Sequence, residues 1–96
     1  MGEIVSISGR VAIDTSSRMR DRLAEALGSK PDAITIDLSQ VDYMDTSGLA
    51  TLIEAMRIAR QQNTELLLRG IQEQPRYLLR VSNLDRVFPI EGDTKS

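Results

Sequence analysis

Two spacings of apolar residues alternate along this chain. Ile4-Val5-Ser6-Ile7-Ser8 and Ile34-Thr35-Ile36-Asp37-Leu38 follow a period of two or close to it, with Ile, Val and Thr favouring extended backbone, so both read as strands. Leu66-Leu67-Leu68 is a continuous apolar run too short for a helix and reads as a buried strand. Between these, Met19, Leu23, Ala26 and Leu27, and then Leu49, Leu52, Ile53, Met56 and Ala59, recur at helical spacing. They predict two amphipathic helices, the second running to about Gln62. Pro75 fits only the first turn of a helix, which places a third at about Gln74 to Ser82 with Tyr77, Leu78 and Val81 inward. Val87-Phe88 suggests a last short strand closed by Pro89, and Glu91 to Ser96 a loose tail.

The punctuation agrees with this order. Asp14, Thr15 and Ser16 offer caps to the first helix and Gly28 a stop; Lys30-Pro31-Asp32 is a loop; Gly70 breaks the third strand; Asn83 suits a left-handed C-cap. Strands alternating with helices across short connections predict one α/β domain over residues 1–96, with a mostly parallel sheet of four to five strands and right-handed crossovers.

Composition narrows the chemistry. With 41% hydrophobic and 27% charged residues the chain is ordinary for a globular protein. A net charge of −2 with both signs interspersed leaves no basic footprint for nucleic acid and no polybasic membrane patch. The run Arg18, Arg20, Arg22, with Asp21 and Glu25 interleaved, reads as a solvated helix face. No apolar run approaches a membrane span and no signal-peptide pattern opens the chain, so a cytoplasmic protein is expected. The chain has no Cys and no His, which removes disulfides, thiolate chemistry and the usual zinc ligands and general base. Asp37 and Asp42, two acids about a turn, are too weak a pattern for a metal site. No cofactor, metal or catalytic residue is expected.

The first strand hands over to helix one, and the Ile34 strand to the stretch Tyr43-Met44-Asp45-Thr46-Ser47-Gly48-Leu49, where a short polar turn precedes the second helix. Asp45, Thr46 and Ser47 stand where the free N–H groups of a helix start need capping. Helical geometry puts Ala50, Thr51 and Glu54 on the face of Ser47, away from the large apolar side chains, so Ser47 is expected to face solvent. Gly48 and Ala50 add little bulk, which would let another protein approach the backbone closely. A hydroxyl at a helix N-terminus also accommodates a phosphate locally, while the added charge would spoil a complementary interface. Capping accounts for the residue types but needs only one oxygen. As a hydrolase nucleophile, Ser47 would lack a well-placed base, and a carrier role for an Asp-x-Ser serine sits badly with the strands and the near-balanced charge.

The same residues carry a resemblance. Val41-Asp42-Tyr43-Met44-Asp45-Thr46-Ser47-Gly48-Leu49 resembles the signature of STAS domains, the bacterial anti-sigma factor antagonists, in which a strand leads into Asp-Ser/Thr-Ser-Gly-Leu at a helix start. Val5 to Arg10, Ile34 to Leu38, Leu66 to Leu68 and Val81-Ser82-Asn83-Leu84 are similar to further stretches of that family, so most of the chain is covered. The resemblance implies a single STAS-like α/β domain, not an enzyme. It would bind an anti-sigma factor that is also a serine kinase, with a phosphatase as a further partner. Ser47, or alternatively Thr46, would be the phosphorylated residue, and Asp45, Thr46, Ser47, Gly48, Ala50, Thr51 and Glu54 the partner-binding set. An acid that the family often carries after its Gly-Arg/Glu turn is replaced here by Ala12, with Asp14 nearest. STAS domains usually place another strand before the first one seen here, so its edge is expected to be exposed or paired with a second copy. A second branch of the family serves bacterial ABC-type lipid transport, docking on the ATPase; its Asp-Thr-Gly-Gly-Leu keeps the Thr and lacks the Ser.

Overall fold

The computed structural model describes residues 2–90, and the tail expected at 91–96 lies outside them. The chain forms β1 (Gly2–Val11), α1 (Ser16–Gly28), β2 (Ala33–Met44), α2 (Thr46–Gln61), β3 (Glu65–Arg69) and α3 (Glu73–Val81). The strands make one sheet in the order β1-β2-β3, parallel throughout. The α/β alternation is as expected, but among the described residues the sheet has three strands rather than four or five. At Val87-Phe88 the backbone turns instead, with the amides of both residues donating to the Leu84 carbonyl (3.0 and 3.3 Å), and Phe88 is buried in the core. Beyond Pro89 a single parallel bridge joins Ile90 to Leu68.

One sheet face carries the core. Val5 and Ile7, Ile34, Ile36 and Leu38, and Leu66 and Leu68 meet Met19, Leu23 and Leu27 of α1 and Leu52, Ala55, Met56 and Ala59 of α2. The opposite face is partly open, with Ile4 exposed and Thr35 and Leu67 half-buried in one cross-strand row. Ile53, expected inside, is 43% exposed, because Leu52, Ala55, Met56 and Ala59 already fill the buried stripe of α2.

β2 is longer than its alternation implies, running twelve residues to Met44. The steps Ser6 to Ser8 and Ser8 to Arg10 on β1 face three-residue steps on β2, Asp37 to Gln40 and Gln40 to Tyr43. Each irregularity inserts a residue into β2 and changes which side chain points inward. The buried positions therefore run Ile34, Ile36, Leu38, then Val41 and Met44, and the strand arrives at the motif with Asp45 alone between it and α2.

β3 pairs with β2 only as far as Asp37. Past that point side chains from the α3 region take over: Gln72 Nε2 donates to the Ser39 carbonyl at 2.8 Å. The Gln74 amide both accepts from Met44 N–H (2.8 Å) and donates to the Met44 carbonyl (2.9 Å), supplying to β2 what a neighbouring strand would. The phase of α3 corrects the sequence reading. Pro75 and Leu79, four apart, are the buried pair, whereas Tyr77 and Val81 are exposed, with the Tyr77 ring under the Arg80 guanidinium. Helix endings rest on left-handed residues at Lys30, Asn63 and Asn83. Asn83 plays the expected part, but α1 includes Gly28 and turns at Lys30.

Candidate functional site at the start of the second helix

The end of β2 aims the chain at α2, and Asp45 fixes the junction. Its backbone N–H donates to the Val11 carbonyl of β1 at 3.0 Å. Its extended conformation makes it the N-cap of α2, with Oδ1 accepting from Ser47 N–H at 2.8 Å and from Ser47 Oγ at 2.5 Å. The other oxygen, Oδ2, accepts from Ile13 N–H in the β1–α1 loop at 3.2 Å. One carboxylate thus ties the motif to a loop 32 positions earlier. The Ser47 hydroxyl, then the backbone N–H groups of Ser47, Ile13 and Gly48, hold the Asp45 carboxyl below the usual carboxylate range, against a smaller opposing effect of partial burial. Asp45 is ionised at neutral pH.

The seven sequence-predicted residues divide. Thr46, Ala50 and Glu54 are exposed, Asp45 and Ser47 half-buried, and Glu54 pairs with Arg57 at 2.6 Å. Two are corrected. Thr51 is buried, and its hydroxyl donates to the Ser47 carbonyl at 3.0 Å, so it braces the first turn from within. Gly48 also faces the core: a Cβ there would lie 2.7 Å from Met44 Cγ and 2.7 Å from Val11 Cγ1. The close approach that selects glycine comes from the protein's own strands, not from outside. Both residues sit one step from the exposed stripe, where spacing alone separates the inward from the outward face poorly.

Beside Asp45 stands a residue that periodicity did not supply. Ile13 is 83% exposed, held there by the bond above, while Tyr43 near the end of β2 and Ile53 on α2 are each 43% exposed. An isoleucine in a loop carries no sequence signal of its own; the Asp45 contact gives it a place. The nearby loop acid, Asp14, pairs with Arg10 at 3.3 Å in solvent, and Thr15 Oγ1 pins the loop by accepting from Ala12 N–H (3.0 Å) and donating to the Arg10 carbonyl (2.7 Å). Asp37 is engaged elsewhere, accepting from Ser39 N–H at 2.9 Å and meeting Arg69 at 3.2 Å.

Comparison with known proteins gives the same region a context. The family model described as Mlab, STAS domain, matches residues 2–90. The anti-sigma-B factor antagonist of Listeria monocytogenes is 25% identical over 92% of this chain and 77% of its own length. The intermembrane phospholipid transport system binding protein MlaB of Escherichia coli is 31% identical over 86% of this chain and 82% of its own. In three dimensions, an anti-sigma factor antagonist from Mycobacterium paratuberculosis superposes with a TM-score of 0.78 at 23% identity, covering 93% of this chain and 75% of that one. Among the described residues no helix is long and apolar enough to cross a membrane.

Proposed function

The chain belongs to the STAS-domain family, and on that premise we propose that it is an anti-sigma factor antagonist, a non-enzymatic, cytoplasmic binding module. Its Ser47 surface docks on an anti-sigma factor that is also a serine kinase, phosphorylation of Ser47 releases that partner, and a phosphatase resets the switch. The observation that carries the reading is the placement of the Ser47 hydroxyl, half-buried at the first turn of α2 and 2.5 Å from an ionised carboxylate. A phosphate there adds about 1.5–2 negative charges next to Asp45, which also holds the Ile13 amide. The repulsion disturbs both halves of one surface, the helix start and the Ile13 loop, while α2 keeps its hydrophobic seat. The docking set is Asp45, Thr46, Ser47, Ala50 and Glu54 together with Ile13 and Ile53. Thr46, exposed beside Ser47, is the alternative phosphate acceptor.

A second reading, a STAS subunit that docks on the ATPase of an ABC-type lipid transport system, is favoured by the similarity to MlaB. Affinity purification of the wild-type protein and Ser47→Asp from the native host, with mass spectrometry of partners and of the Ser47 peptide, separates the two. The switch predicts a serine kinase recovered by the wild type alone and phosphate on Ser47, with a melting temperature little changed by Ser47→Asp. Recovery of an ABC ATPase with Ser47 never modified refutes the switch in favour of transport.

A further inference from the structure

The peptide unit between Met44 and Asp45 carries β2 into α2, and it is held from both sides. Its N–H, that of Asp45, donates to the Val11 carbonyl of β1 at 3.0 Å. Its carbonyl, that of Met44, accepts from Gln74 Nε2 at 2.9 Å, while Gln74 Oε1 accepts from the Met44 N–H at 2.8 Å. The position calls for a donor and an acceptor side by side, which the planar amide of glutamine offers. Asparagine, one methylene shorter, carries the same groups without the reach. The amide is itself well seated: Gln74 lies in the first turn of α3 next to Pro75, which is buried together with Leu79. On the other side of the junction the Met44 side chain, 1% exposed, closes over Gly48.

We propose that Gln74 is a positioning residue for the surface around Ser47: by fixing the plane of the Met44–Asp45 peptide, it aims the Asp45 carboxylate at Ser47 and at Ile13 together. Oδ1 meets the Ser47 N–H and hydroxyl at 2.8 and 2.5 Å, and Oδ2 meets the Ile13 N–H at 3.2 Å. A short side chain that serves two targets on different elements tolerates little rotation of its own backbone. With the Val11 bond alone the peptide could swing about that contact; the Gln74 bond on its opposite edge removes the freedom. Gln74 hydrogen-bonds Met44 on both of its backbone groups, so it acts on Asp45 through the main chain. Gln72 Nε2 makes a bond of the same kind to the Ser39 carbonyl at 2.8 Å, on the same edge of β2 but away from the junction, and sets the standard against which the effect of Gln74 is judged. The consequence for docking rests on the switch reading above; the aim of the Asp45 carboxylate does not.

The test is NMR of the free full chain: amide resonances at pH 7 and titration of the Asp45 carboxyl carbon. Gln74→Asn removes the reach, and Gln74→Met keeps the length without the amide; both leave Pro75 and Leu79 to seat α3. Each is expected to shift the Ser47 and Ile13 amides and to raise the Asp45 midpoint toward the ordinary value of about 3.9, because the bonds from Ser47, Ile13 and Gly48 that lower it in the folded protein are loosened. Gln72→Ala is expected to leave the two amides and the midpoint as in the wild type. Ser47 and Ile13 amides and an Asp45 midpoint unmoved in either folded Gln74 variant, or moved equally by Gln72→Ala, would overturn the proposal. With the serine kinase recovered by the wild type, Gln74→Asn is expected to bind about two- to tenfold more weakly, the cost of ordering one contact that is no longer held in place, and equal affinity would overturn the consequence for docking. A wild type that recovers no kinase refutes the switch, and the Asp45 titration still decides the role of Gln74.

Discussion

Gly48→Ala distinguishes a glycine kept for the protein's own packing from one kept for a partner. Gly48 is buried in the first turn of α2 with a helical backbone that alanine also adopts. Conformation alone therefore favours the substitution, by at most about 1 kcal/mol. Space opposes it. The new methyl would sit 2.7 Å from both Met44 Cγ and Val11 Cγ1, and neither neighbour is at liberty to retreat: Val11 is 2% and Met44 1% exposed, and valine is stiff about χ1. Overpacking of this kind costs about 1–3 kcal/mol, and two simultaneous contacts place the net loss at about 1–2 kcal/mol. For a chain of this size that lowers Tm by roughly 4–16 °C. Thermal and urea melts by circular dichroism read it directly. Val11→Ala, destabilising by itself, is expected to be nearly tolerated in the Gly48→Ala background because it vacates one of the two clashing positions, a non-additivity of about 1 kcal/mol. A Tm unchanged or raised by Gly48→Ala, with partner capture abolished, would refute the inward reading and return the glycine to the docking surface.

Two further perturbations test the supports of the same site. The Asp45 carboxyl titrates below its unfolded value of about 3.9 because the folded protein hydrogen-bonds its charged form. Its contribution is therefore fully present above that pH and lost as pH falls through the depressed folded value. Asp45→Asn, which still caps, is expected to narrow the difference in Tm between pH 7 and pH 3, and an equal difference in both proteins would show that Asp45 does not carry the acid sensitivity. Gln74→Glu replaces the amide that donates to the Met44 carbonyl with a second acceptor and is expected to cost about 1–3 kcal/mol in urea melts, and a loss below a few tenths would mean that water replaces the amide there.

Much of this architecture was legible because two apolar periods dominate the sequence. The stripe Met19, Leu23, Leu27 and the alternation Ile34, Ile36, Leu38 are the core contacts observed. Reading failed where a period was interrupted or ambiguous. β2 continues six residues past Leu38, yet its two irregularities move the inward positions to Val41 and Met44, a spacing that resembles neither strand nor helix. α3 offers Tyr77, Leu78, Leu79 and Val81 in a short helix, so several phases fit; the docking of Pro75 and Leu79 decides among them, and that is tertiary information. The site followed the same rule. Asp45 as cap and Ser47 in the first turn follow from helix-end chemistry. The inward direction of Gly48 and Thr51 depends on where Val11 and Met44 stand, and the exposure of Ile13 depends on a bond to a carboxylate far along the chain. Arg22, read as solvated, reaches back to Ser6 for a reason only the packing of α1 on β1 supplies.

The hydrogen bonds at Asp45 bear on why a serine stands at position 47. The cap of α2 is already satisfied by the Ser47 amide on Oδ1, and the hydroxyl adds a second donor to the same oxygen. For capping, that second bond is largely redundant, since any residue at 47 would offer the amide. What the hydroxyl adds is position: it is held at the rim of the surface, neither enclosed in the core like Thr51 nor as exposed as Thr46. In the proposed switch a kinase would need such a group within reach. A phosphate attached there could not keep the bond the hydroxyl makes, because a donor would become a dianion facing the Asp45 carboxylate. The same carboxylate holds Ile13, so in that reading the change at 47 would be felt at a second point on the surface. An arrangement that served capping alone would require neither the hydroxyl nor the link to the loop.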